Sequence, residues 1–130
     1  MENNLKVKPF ILKLIIPNPT WVTIYPNIYA PFVPNITTPT VWKAIVEHEL
    51  VHIRQQKEMG LLKWLFKYLF NKKFRLDQEV EAFIQQLKFE PVGHHERLIN
   101  MFAADLSGKP YHKAASSKQE AIDLIRSRLV

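Results

Sequence analysis

Within the 130-residue chain, His48-Glu49-Leu50-Val51-His52 sets two imidazoles four positions apart, with a carboxylate beside the first. On an α-helix, positions i and i+4 lie about 40° apart around the axis, so both rings leave one face, one turn apart. That spacing lets two ring nitrogens bind one zinc ion at ~2.0–2.1 Å. Glu49 then flanks the metal and can accept a proton from a water held there. The chain has no cysteine. A disulfide framework, an iron–sulfur cluster and a thiolate zinc site are therefore excluded, and any metal must be held by histidine and carboxylate. Ile45, Val46, Leu50, Val51 and Ile53 surround the motif and point to a sheltered cleft. The competing reading is a helix carrying two partly exposed polar histidines.

An open catalytic zinc site takes three protein ligands. An extension of the motif with glycine at 55 and histidine at 58 is absent, because the chain has Gln55 and Glu58. Without that glycine the helix continues, and Glu58 falls about a turn and a half beyond His52, too far along to close on the same ion. The better source of a third ligand is a second helix, and Asp77-Gln78-Glu79-Val80-Glu81-Ala82-Phe83 offers its acids. Glu79 and Glu81 also suit a solvated first-turn face that favours the helix dipole.

His48–His52, followed some 27 residues later by a helical Glu-x-x-Ala, resembles the gluzincin branch of the zincin metallopeptidases. The likeness is closest to minimal single-domain forms of bacteria and phages, and it covers about residues 40–90. It implies that Glu79 is the third zinc ligand beside His48 and His52, with Glu81 a neighbour. It also implies a zinc metallopeptidase in which zinc-activated water attacks the peptide carbonyl and Glu49 serves as general base and acid. In that family a small sheet precedes the metal-binding helix, and its edge strand receives an extended peptide or protein substrate as an added strand. An Asp or Asn often follows the alanine and orients a zinc-bound histidine. Here Phe83 stands in that place, which leaves the role unassigned. A tyrosine or histidine often stabilises the oxyanion, and Tyr111 and His112 are candidates set against an ordinary surface placement.

The elements that must position these residues fall into two styles. Seven of the nine prolines precede residue 40, where the runs Phe10–Ile16, Trp21–Tyr25 and Ile28–Val33 read as short or edge strands. From Thr40 onward the pattern is helical. A first helix starts near Thr38-Pro39-Thr40 and ends at Met59-Gly60, with Gly60 able to take a left-handed cap. Leu61–Phe70, Arg75–Phe89, His95–Ser107 and a segment from Ser117 to Leu129 follow, the last opened by a Ser117/Glu120 capping box. The expectation is a single α+β domain over residues 1–130, β-rich to residue 39 and helical after it.

Leu61–Arg75 reads LLKWLFKYLFNKKFR, with five positive charges, no negative ones and five aromatics. The alternative to an enzyme is a non-catalytic zincin-scaffold module that meets a membrane surface or nucleic acid through this segment. As a connecting helix, the same stretch reads as core, with Lys63 and Lys67 snorkelling outward. Trp42, Phe83, Met101 and Phe102 also read as core. His94 and His95 after Gly93 read as a solvated turn in preference to a metal-related pair, and Gln55 and Gln56 as partners for backbone or substrate. The net charge of +6 encourages salt-sensitive attraction to acidic partners, although no specific nucleic acid is expected. No run reaches the ~18–20 apolar residues of a spanning helix, and Phe10–Ile16 makes a poor signal peptide, so the expected location is cytoplasmic.

Overall fold

The computed structural model describes residues 5–7, 21–30 and 39–129. Its architecture is the expected α+β class, a small sheet followed by five helices among the described residues. Strands β1 (Leu5–Val7), β2 (Val22–Ile24) and β3 (Asn27–Ala30) lie in the order β1-β3-β2. The β1 strand runs parallel to β3 with Leu5 opposite Ile28, and β2 runs antiparallel to it with Thr23 opposite Ile28. These strands are as short as the proline spacing requires. Phe10–Ile16 and residues 31–33 lie outside the described residues.

Helix α1 spans Pro39–Met59, with proline in the first turn where its missing N–H costs nothing. Its capping hydroxyls and the Trp42 side chain lie outside the described residues. Gly60 ends α1 and opens α2 (Leu61–Phe70) at once, because its N–H donates to the Gln56 carbonyl at 2.8 Å and its own carbonyl accepts from Trp64 N at 2.9 Å. Its φ of 94° is positive as expected, but its ψ of 131° is extended rather than left-handed helical. The extended ψ sends the chain straight into a new helix in another direction. Glycine is the residue that tolerates this conformation.

Helix α3 covers Lys72–Leu87, starting three residues before the expected Arg75 and stopping two before Phe89. The early start has a local cause: Asn71 Oδ1 accepts from Phe74 N at 3.0 Å and satisfies a first-turn amide. Helix α4 spans His95–Leu106 and α5 spans Lys118–Leu129. At the start of α5, Ser117 Oγ accepts from Glu120 N at 3.1 Å. The Glu120 carboxylate reaches back to Ser116 N, one residue earlier than a capping box places it.

The core forms where α3, α4 and α5 meet, around Val80, Leu87, Ile99, Leu106 and Ile125. Phe83 stacks on Phe102 with centroids 4.2 Å apart. Met101, expected inside, is 50% exposed. The inward stripe of α4 is Ile99, Phe102, Ala103 and Leu106, and position 101 falls outside it. The core reading of α2 also fails in part. This helix buries Trp64 and half-buries Leu61, Leu65 and Tyr68, an i, i+3, i+4, i+7 stripe, so Leu62, Phe66, Leu69 and Phe70 face outward. No helix among the described residues is long and apolar enough to cross a membrane.

Candidate metal centre

Helices α1 and α3 lie side by side and bring His48, His52 and Glu79 together. One donor atom from each lies within 4.8 Å of the others, and all three residues are buried. Both imidazoles aim Nε2 at the same oxygen: Glu79 Oε1 is 3.3 Å from His48 and 3.0 Å from His52. Donor atoms bound tetrahedrally at ~2.0–2.1 Å sit about 3.3 Å apart, so the donor set and these two separations suit a zinc-sized cation.

Hydrogen bonding fixes what His52 offers. The Gln55 amide donates from Nε2 to the Gln78 carbonyl at 3.1 Å, which turns its Oε1 toward His52 Nδ1 at 2.8 Å. An amide oxygen only accepts, so Nδ1 carries the hydrogen and a neutral His52 presents a bare lone pair at Nε2. A lone pair facing a carboxylate oxygen requires a cation between them. A proton is one solution. Burial opposes the imidazolium, but the charge and hydrogen bond of Glu79 outweigh it and hold the His52 pKa up at about 9. Burial likewise works to raise the Glu79 pKa, and the charge on His52 with hydrogen bonds from both histidines instead holds it well below the usual carboxylate range. A divalent cation satisfies both imidazoles and the carboxylate together.

The surrounding residues orient this set. Tyr68 donates its hydroxyl to Glu79 Oε2 at 2.6 Å, which leaves Oε1 to the histidines. Burial first, then the Glu79 charge, keeps the Tyr68 phenol protonated far above its ordinary range. Arg75, one turn before Glu79 on α3, is buried and donates to the Tyr68 carbonyl at 2.5 Å and the Tyr111 carbonyl at 3.0 Å. It thereby ties the end of α2, where helix carbonyls are unpaired, to the Tyr111 segment. Phe83, one turn after Glu79, meets the His48 ring edge-on at 4.6 Å. His48 Nδ1 is correspondingly buried with no hydrogen-bond partner. The orienting role left unassigned at Phe83 is thus empty for His48, while Gln55 fills the equivalent role for His52. Gln55→Ala is expected to weaken zinc binding by about 10–100-fold with the helices intact, measured by competition with a chromophoric chelator.

Glu49 leaves α1 toward the sheet. Its Oε2 accepts from the Thr23 hydroxyl at 2.5 Å, and its side chain is buried. Gln56, on the same face of α1, takes the Tyr25 amide at 2.7 Å and gives to the Thr23 carbonyl at 3.0 Å. Its amide stands in for a neighbouring strand at the end of β2, so an added strand could not also pair with those two groups. Glu81 leaves α3 elsewhere and pairs with Arg54 in a separate groove with Glu47 and Gln85. Glu58 is exposed and pairs with Arg54 as well.

A cleft of about 420 Å³ opens on the cluster, walled by Trp21–Ile24 on one side and Trp64, Leu65 and Leu69 on another. Tyr111 and His112 line its mouth. Tyr111 is half-buried against Phe83, which replaces the plain surface reading. Burial first, then the charges of Glu79 and Glu49, raises its pKa well above the ordinary value. The loop that delivers it turns through positive φ at His112 (51°) and Lys113 (52°), which costs roughly 1–2 kcal/mol per residue. Hydrogen bonds from Lys113 N to Gly108 O and from Ala115 N to Leu106 O hold it.

Sequence reasoning missed Tyr68, Arg75 and Thr23 because nothing local links them to the motif. Gln55 carried a signal: on a helix, i+3 places it beside His52. Compared with known protein families, with curated proteins and with solved structures, the chain matches none.

Proposed function

We propose that this chain is a zinc-dependent metallopeptidase in which His48, His52 and Glu79 hold the metal. The observation that carries the proposal is the convergence of two imidazole nitrogens, from positions four apart on α1, on one buried carboxylate oxygen from α3. Zinc held there supplies Lewis acidity, polarising a carbonyl and lowering the pKa of a water. Glu49 takes a proton from the attacking water and delivers it to the leaving amine, with the Thr23 hydroxyl fixing its orientation. Tyr111 remains a neutral phenol at working pH and is therefore a hydrogen-bond donor for the oxyanion.

The substrate is an extended peptide laid along the cleft between β2 and α2. The cleft lining is mostly apolar, which favours apolar side chains beside the scissile bond. Because Gln56 occupies the end of β2, the substrate's main chain does not pair with the Tyr25 amide or the Thr23 carbonyl. Cleavage of a fluorogenic peptide library by the zinc-loaded chain, abolished by chelation and restored by zinc, is the expected result. A zinc-loaded, folded chain that cleaves no member of such a library contradicts the proposal.

A further inference from the structure

We infer that the outer face of α2 is a docking surface for an anionic lipid membrane. This surface lies apart from the proposed chemistry and does not depend on it. Leu62, Phe66, Leu69 and Phe70 are 82%, 66%, 64% and 74% exposed. At 100° per residue they fall within about 100° of arc, one continuous apolar ridge on a ten-residue helix. Among the described residues nothing covers it. Isolated exposed apolar residues need no explanation, but four adjacent ones mark an interaction surface.

Charge identifies the partner. Lys63 and Lys67 line one side of the ridge, Lys72 and Lys73 follow at the start of α3, and all four are exposed. No carboxylate occurs between Gly60 and Arg75. The fifth positive charge of this segment, Arg75, is buried beneath the helix and takes no part. Lysines beside a ridge of leucine and phenylalanine are the pattern of a helix lying in a headgroup layer. At ~15 Å long, α2 lies on a bilayer and cannot span its ~30 Å core.

Two other occupants fit less well. A second copy packed ridge to ridge would bring the lysines of both chains together with no acid to neutralise them. Single-stranded nucleic acid would use cations and aromatic faces, and half of this ridge is leucine. Trp64, Leu65 and Tyr68 line the cleft from the other side of the same helix, and Leu69 borders both the ridge and the cleft, so docking sets the cleft within about 10 Å of the lipid surface.

Flotation of the full chain with vesicles tests the inference. Vesicles of phosphatidylcholine with about 30% phosphatidylserine are expected to bind it at least about tenfold more tightly than phosphatidylcholine alone, with the difference lost near ~0.5 M salt. Phe66→Ser/Phe70→Ser and Lys63→Glu/Lys67→Glu should each weaken binding about tenfold or more. Because these residues are exposed, circular dichroism and melting temperature should match the parent. Failure to bind the anionic vesicles overturns the inference, as does binding that survives the phenylalanine pair. A dimer that the same pair dissociates, or oligonucleotide binding without vesicle binding, assigns the ridge to another partner and equally overturns it.

Discussion

Glu49→Gln is expected to lower peptide cleavage by about 10²–10⁴-fold while bound zinc stays unchanged. Glutamine has the shape of glutamate and can still accept the Thr23 hydroxyl that now lies 2.5 Å from Oε2. What it lacks is the ability to take a proton and return it. Paired measurements of kcat/KM and zinc content separate the roles. A loss of cleavage below about tenfold removes Glu49 from proton transfer. A loss of zinc makes Glu49 a ligand and shifts the whole assignment along α1.

Glu79→Ala and Glu81→Ala should differ more sharply than any other neighbouring pair. Zinc held by about four ligands in a small protein is worth ~10–16 kcal/mol, so one ligand accounts for about 2.5–4 kcal/mol, or about 60–700-fold in affinity. Removing the Glu79 carboxylate also strands the Tyr68 hydroxyl and the buried imidazoles it now satisfies, which lowers the stability of the metal-free chain. Glu81 instead pairs with Arg54 at the edge of a separate groove, where both side chains are about half exposed. Its loss should cost less than about 1 kcal/mol and leave zinc binding untouched. Isothermal titration of each variant with zinc reads both effects. Loss of zinc in Glu81→Ala alone would put the ligand two residues away.

Much of α1 was legible because its signals are local: a proline at the start, a glycine at the end, and histidines at helical spacing between them. The pairing of α1 with α3 was legible only as a resemblance, since nothing in residues 77–83 by itself distinguishes Glu79 from Glu81. The structure separates them by rotation around α3. Glu79 shares a stripe with Arg75 and Phe83, and that stripe faces α1, the end of α2 and the Tyr111 loop.

The α2 segment misled because its apolar residues run almost without a break. As a connecting helix between α1 and α3 it reads as core, with Lys63 and Lys67 outward. It contacts the protein along a single stripe of Leu61, Trp64, Leu65 and Tyr68, while Leu62, Phe66, Leu69 and Phe70 are exposed. Phe83 shows the opposite case. As an apolar helix-interior residue it reads as core, and it is core, stacked on Phe102. The same packing places its ring against His48, whose Nδ1 has no partner. Core packing thus occupies the place where an orienting carboxylate would otherwise stand. Asn71 caps the Phe74 amide, a local signal that starts α3 three residues before Arg75.

Zinc content of the purified chain tests the central claim most directly. Mass-spectrometric elemental analysis of the native protein should find one zinc per chain, absent from both His48→Ala and His52→Ala. A folded protein that contains no zinc, and binds none when it is added, would contradict a metal centre at His48, His52 and Glu79.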